Sequence, residues 1–251
     1  MLALTSLIAC SSDYLVVEDG GFEDEVVDEA WDSATLMVDS PTPGSFISWE
    51  DGGHFEARVV DAEGNSLEFE DIQWSSDIGG WENIGASFDD DTMDVGTHAI
   101  TAMTTLPNGD RLAYTVGGVL IQSVYAGTYA GTMSVDMTYD TYTVGCAGAS
   151  TIIIDAYGDQ VDGDASCLLS FQGYDLDSAF VLDVENDRGV LYGTIAVEIY
   201  GYVLPMDFSG DVTEDGQFFG VFDGDMMGMG SFAGELDVVR VSRDTSYSSS
   251  E

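Results

Sequence analysis

Three cysteines, two histidines and 47 acidic residues are the side chains with which this 251-residue chain could do chemistry. Nucleophilic catalysis needs a serine or cysteine held against a histidine that a third group orients. Spacing alone assembles no such set around His54 or His98, so each histidine is read as structural or surface-exposed. Paired acids of the glycosidase kind cannot be singled out where acids are everywhere. The expectation is a protein that is not an enzyme. Carboxylates clustered on loops would suit calcium, a hard cation that takes oxygen ligands. The densest groups are Asp89, Asp90 and Asp91 with Asp94; Asp159 with Asp162 and Asp164; and Asp175 with Asp177. None has the spacing of an EF-hand loop, and at this acid content such groups arise from composition. No cofactor is expected, with structural calcium as the one metal these oxygens would take.

The formal charge of −42 comes from those acids against five basic residues, all arginine. Nucleic-acid binding is excluded, since phosphate neutralisation needs clusters of Lys and Arg. Close docking onto an anionic lipid surface is disfavoured for the same reason. The acids are spread along the chain, which describes a solvated acidic surface rather than one recruiting site. Self-repulsion of this size opposes compaction. Salt shortens its reach to about 8 Å at physiological strength and about 3 Å at 1 M, so salty surroundings suit the chain.

Hydrophobic residues make up 45% of the sequence, enough for a core. Thirty glycines against four prolines, with many Val, Thr, Tyr and Phe, favour short strands and tight turns. Apolar positions do not recur at helical spacing over any long stretch, so the expected class is all-β. Residues 11–34 are acidic, with Glu23-Asp24-Glu25 and Asp28-Glu29, and read as a flexible tether. Residues 35–122 carry about seven short strands separated by turns such as Asp61–Asn65 and Pro107-Asn108-Gly109-Asp110. In residues 124–243, strand-like pieces fall near 125–137, 151–156, 166–171, 179–184, 190–200, 217–222 and 230–241. Strands this numerous must close or stack to hide their edges, and a small antiparallel β-barrel or roll is expected. Phe208, Phe218, Phe219, Phe222, Met226, Met227 and Met229 are read as its core filling, with a ligand pocket as the alternative. The tail, 244–251, is serine-rich and reads as disordered.

The first ten residues end in Leu7-Ile8-Ala9-Cys10 and turn polar at once with Ser11-Ser12-Asp13. An apolar run closing on small residues reads as the end of a secretory signal. The tetrapeptide resembles the lipobox of bacterial lipoproteins, which implies lipidation of Cys10. It also implies a membrane anchor and a place in the cell envelope, at the outer membrane or cell surface. With Cys10 so used, Cys146 and Cys167 remain as an even pair that an oxidising compartment would bridge.

The segment Trp74-Ser75-Ser76-Asp77-Ile78-Gly79-Gly80 and the run Gly96-Thr97-His98-Ala99-Ile100-Thr101-Ala102 resemble bacterial immunoglobulin-like modules, in the style of the PKD and fibronectin type III groups. The resemblance covers nearly all of 35–122 and implies a β-sandwich. Trp74 would be its buried tryptophan. Asp94, Gly96 and His98 would stand at the tyrosine corner, with His in place of Tyr. Ile100 would take the place of the second core cysteine. The Tyr-x-Gly-Thr opening at Tyr125 and Tyr129 and the returning strand Gly234–Arg240 are similar to the lipocalin-like domains of bacterial lipoproteins. Together these imply a non-enzymatic, lipid-anchored envelope protein that binds or scaffolds an envelope protein or surface ligand. A carrier of a small apolar ligand and a calcium-stabilised adhesion module are the alternatives.

Overall fold

The computed structural model of the protein describes residues 31–246 apart from 172, 200, 201, 226, 227 and 229. The lipobox-like segment with Cys10, residues 11–30 of the expected tether, Met226, Met227, Met229 and the end of the tail lie outside the described residues. Of the expected tether, 31–34 are described. There Ala34 is buried and the Trp31 ring meets Phe69 edge-on at 5.9 Å.

The chain is all-β and divides into two compact units. The first holds residues 31–45, 52–93 and 97–120; the second holds 46–51, 94–96 and everything from Ile121 on. In the first unit, β1 (Thr35–Ser40) belongs to one sheet and β2 (Phe46–Ser48) falls to the second unit. Then follow β3 (Gly53–Val60), β4 (Ser66–Leu67), β5 (Gln73–Ser76), β6 (Glu82–Ile84), β7 (Ser87–Asp90), β8 (Gly96–Thr105) and β9 (Arg111–Gln122). One sheet runs β1-β3-β4 with β7 also paired to β3. The other runs β9-β8-β5-β6 within this unit. Alternation along β3 and β8 sends every second side chain inward. An aromatic cluster joins the sheets: Phe55 of β3 stacks on Phe88 of β7 at 5.2 Å and meets Trp74 of β5 edge-on at 5.8 Å. Trp74 is buried, and its indole N–H donates to the Gly85 carbonyl at 2.8 Å. His98 is buried as well and shares a 2.6 Å hydrogen bond with the Ser76 hydroxyl, while Ile100 is fully buried.

The second unit is a closed antiparallel barrel. Its strands are β10 (Gly127–Tyr139), β11 (Tyr142–Ile154), β12 (Gln160–Phe171), β13 (Tyr174–Asp187), β14 (Val190–Ile199), β15 (Tyr202–Val212), β16 (Gln217–Asp225) and β17 (Gly230–Ser242). Each pairs with the next, and β17 returns to β10. Strand β15, which carries Pro205, is not among the strand-like pieces read from the sequence. Pro205 precedes Asp207, where the ladder to β16 begins, so its missing N–H removes nothing from that ladder.

The register sets the barrel's width. Followed from strand to strand, Ile153 leads to Asp162, Asp183, Thr194, Asp207, Asp223, Ala233, Asp136 and finally Gly145. The walk leaves β11 at residue 153 and returns to it at 145, a stagger of eight residues around eight strands. That combination tilts strands by about 36° and leaves an interior just wide enough for side chains. Phe180, Ile152, Ile154, Ile195, Leu236, Phe218 and Phe222 are among those that fill it. Glycines make room for the rings. A methyl added at Gly234 would stand 2.3 Å from Cζ of Phe222, and one at Gly220 would stand 2.2 Å from Cζ of Phe208. These glycines are therefore notches in strand interiors, a use beyond the turns expected of them.

One barrel end is tied by polar side chains. Buried Asn186 donates to the Gly158 carbonyl at 2.6 Å and accepts from the Gly189 N–H at 2.8 Å. Arg240 donates to the Val124 carbonyl and, at 2.7 Å, to the Glu214 carbonyl. The Tyr129 hydroxyl donates to the Tyr125 carbonyl at 2.5 Å, and burial holds its pKa above the ordinary tyrosine range.

Two substitutions test this packing with opposite signs. Gly234→Ala should destabilise the barrel by about 1–3 kcal/mol through overpacking; an unchanged urea midpoint would mean the Phe222 ring yields freely. Asp223→Asn, which removes one charge from the directly opposed Asp207–Asp223 pair, should stabilise by roughly 0.2–1 kcal/mol. That gain should shrink in concentrated salt.

Candidate functional site

The expected cysteine bridge is present: Cys146 of β11 and Cys167 of β12, 21 positions apart in sequence, form a disulfide with Cα atoms 5.8 Å apart. Closing a loop of that length contributes about 3 kcal/mol in the chain-entropy model. The bridge lies beyond the end of the β11–β12 ladder, which pairs only Ser150–Ile154 with Val161–Ala165. Cys167 packs in the barrel core and Cys146 against it.

Several of the acids put forward for calcium are engaged otherwise. Asp89 pairs with His54, and Asp90 accepts from the Trp81 indole at 3.0 Å, the Asn83 amide at 3.0 Å and the Thr92 backbone N–H and hydroxyl at 2.8 Å each. Burial pushes the Asp90 carboxyl up, but those bonds outweigh it and hold the group below the ordinary aspartate range. Next to the group at Asp159, Asp155 caps its own turn by accepting backbone N–H bonds from Gly158, Asp159 and Gln160. Asp162 and Asp164 project from β12 onto the outer face, and Asp175 accepts from Ser170. Among the described residues no three His, Cys, Asp or Glu side chains come together as a metal site would require.

The fold does assemble one constellation that spacing did not reveal. His54 of β3 lies opposite Asp89 of β7, and Glu56 opposite Ser87. His54 Nδ1 is 2.8 Å from Asp89 Oδ1, and its Nε2 is 3.5 Å from the Ser87 hydroxyl. This is the order of a Ser-His-Asp triad. Its surroundings oppose the chemistry. The side chains stand on an open sheet face, 49% exposed at His54 and 88% at Asp89, and Glu56 reaches within 3.8 Å of the same Nε2. A reacting carbonyl needs preorganised donors aimed at its developing oxyanion; here the neighbours are carboxylates that repel it. The signal in the sequence was Ser87-x-Asp89, two residues that share one strand face, but only the register to β3 brings His54 to them.

In the barrel, Phe208, Phe218 and Phe222 are core residues as expected. Phe219 is not: it is 48% exposed on the outer face. Adjacent strand residues point to opposite faces, so Phe218 and Phe219 cannot both face inward. Side chains of the core cluster occupy the interior that a carrier would need empty, and two grooves lie in the outer wall of this unit. One, of about 700 Å³, is lined by Ala147, Leu168, Asp177, Ser178, Ala179 and Glu198 among others. Another, of about 420 Å³, lies over Ile153 and Val181 with Asp155, Asp162 and Asp164 at its rim.

The outer face of the barrel carries carboxylates on every strand but β11: Asp136, Asp162, Asp183, Glu198, Asp207, Asp223 and Glu235 are examples. A barrel that spans a bilayer has the reverse pattern, apolar outside and polar within. Among the described residues no helix is long and apolar enough to cross a membrane either. Compared with protein-family models, curated proteins and solved structures, the chain matches none.

If the surface constellation is merely a sheet-face hydrogen-bond chain, Ser87→Ala and His54→Ala will leave hydrolysis of p-nitrophenyl acetate at the wild-type level. A fall of about 10²-fold or more on either substitution would make Ser87 a nucleophile.

Proposed function

We propose that the chain is a non-enzymatic, lipid-anchored protein of the cell envelope that binds or scaffolds through the outer faces of its β units. The observation that carries this reading is the filled barrel: with Phe180, Phe218, Phe222 and their neighbours occupying the interior, recognition is left to the surface. The filling weighs against the carrier reading. The engagement of Asp89 and Asp90 by His54, Trp81, Asn83 and Thr92 weighs against a calcium-stabilised adhesion module.

The anchor rests on Leu7-Ile8-Ala9-Cys10. A single acyl chain holds a protein to a bilayer only marginally, and stable attachment takes two or more, which the thioether-linked lipid of a lipoprotein would supply. An extracytoplasmic address accords with the Cys146–Cys167 disulfide. For the first unit we read an immunoglobulin-like sandwich. Its support is the burial of Trp74 and Ile100, the buried His98 on β8, and the aromatic contacts between the two sheets. The barrel's acidic outer face favours partners with basic surfaces and disfavours nucleic acid and anionic lipid.

The anchor is tested by intact-mass analysis of protein recovered from washed membranes. The expected species begins at Cys10 and carries fatty acyl chains, and Cys10→Ser should abolish both processing and membrane retention. Protein recovered from the cytosol with Met1 intact and no fatty acid would reject the reading.

A further inference from the structure

We propose that the Cys146–Cys167 bridge is a redox-controlled register latch. While closed it holds the β11–β12 seam two residues out of register; its reduction lets the ladder run on to Val144 and Phe171. The inference concerns the barrel alone and does not depend on the envelope reading. Pairing of β11 with β12 stops at Ser150 and Ala165. Both strands continue past that point, β11 towards Tyr142 and β12 to Phe171. Six further pairs, from 149 with 166 to 144 with 171, are within reach of the same register, and none forms. On their other sides these residues are paired without a gap, to β10 and to β13. Among the described residues no turn or loop bond replaces the missing partners, so a run of backbone N–H and C=O groups faces the seam unpaired by the ladder.

The bridge accounts for the gap. Carried on, the ladder would set Gly148 opposite Cys167 and Cys146 opposite Leu169. The disulfide instead joins Cys146 to Cys167 with Cα atoms 5.8 Å apart. Diagonal neighbours in a regular ladder stand about 7–8 Å apart, so the bridge draws them together. Between the last ladder pair and the bridge, β11 spends four residue steps and β12 only two. The slack is taken up at Gly148. The Ser166 carbonyl oxygen lies where a side chain at 148 would begin, and Cβ of Cys167 is 3.1 Å from the same point. A glycine inside a strand marks such a close approach of backbone, and here it stands at the break in register.

The strands are patterned for the other arrangement. In the continued register Cys146 would face Leu169, both members of the barrel core, and Ala147 would face Leu168 on the outside. The 700 Å³ groove is lined from both strands by Ala147, Ser166, Cys167 and Leu168, so it lies along the interruption. Running the ladder on would narrow it, and the state of the bridge thereby sets the shape of this part of the wall. Cys146 is half-buried and Cys167 is 8% exposed, which makes Cys146 the sulfur within reach. A thiolate of a dithiol reductant attacks Cys146 Sγ, the S–S bond breaks, and Cys167 leaves with the electron pair and takes a proton. The reductant's second thiol then displaces Cys146 from the mixed disulfide. Two electrons and two protons pass to the bridge, which ends as two thiols, and the dithiol ends as a disulfide.

The test is amide hydrogen exchange of the full ¹⁵N-labelled chain, with the bridge intact and after reduction by dithiothreitol. Reduction should slow exchange about tenfold at the seam-facing amides of 144–149 and 166–171 and leave 190–199 as they were. The double variant Cys146→Ser with Cys167→Ser should show the same slow exchange with no reductant present. Gly148→Ala crowds the seam only while the bridge is closed, so it should lower the dithiothreitol concentration for half-reduction about tenfold. The proposal is overturned if reduction speeds exchange in these two segments, since the bridge is then a clasp holding the hairpin to the wall. It is overturned equally if their exchange does not change, or if it rises throughout the barrel, which would make the bridge a staple of the whole fold. Reduction of Gly148→Ala at the wild-type concentration would also overturn it.

Discussion

The barrel's stagger is the constraint from which the rest of the second unit follows. Eight strands displaced by eight residues in one circuit make a narrow tube, and a narrow tube must either be filled or collapse. Filling it with rings demands recesses opposite them, which Gly220 provides beneath Phe208 and Gly234 beneath Phe222. Large and small residues thus oppose one another across the β16–β17 ladder, where Phe222 faces Gly234 and Leu236 faces Gly220, an alternation often found in small barrels. Strand periodicity then leaves the other half of every strand for the outside, and there the acids are displayed.

That outer display has an electrostatic consequence. Along the circuit, Asp162 directly opposes Asp183 and Asp207 directly opposes Asp223, with Asp136 further round the same wall. Arginine does little to offset them. Arg240 spends its guanidinium on the Val124 and Glu214 carbonyls and lies 6.0 Å from the Tyr129 ring centre. Arg58 bridges Asp39 in the first unit. Compensation falls to water and dissolved ions, so the acidic character is a property of the whole surface and not of one recruiting cluster.

The groups that looked most like chemistry in the sequence turn out to have local work. Asp90 joins Trp81, Asn83 and Thr92; Asp89 pairs with His54; His98 meets Ser76 inside a sheet. Where donors and acceptors already satisfy one another, little coordinating capacity remains for an ion. Among the described residues, the buried side-chain polar atoms left without a partner lie elsewhere, on Ser45, Ser178 and Arg243.

The sequence by itself determined the all-β class, from composition, and placed Phe208, Phe218 and Phe222 in the core. The resemblances it carries implied the rest: the burial of Trp74 and Ile100 from the immunoglobulin-like segments, and the pairing of Cys146 with Cys167 once the lipobox-like motif sets Cys10 aside. Only the tertiary structure decided the closure of the barrel, its stagger, the strand that carries Pro205, and the outward turn of Phe219. It alone brought Ser87 and Asp89 to His54. The physical reason is that register is a relation between distant segments. A slip of one residue would present the opposite face of every strand, and nothing within a single strand reports which residue of its partner will stand beside it.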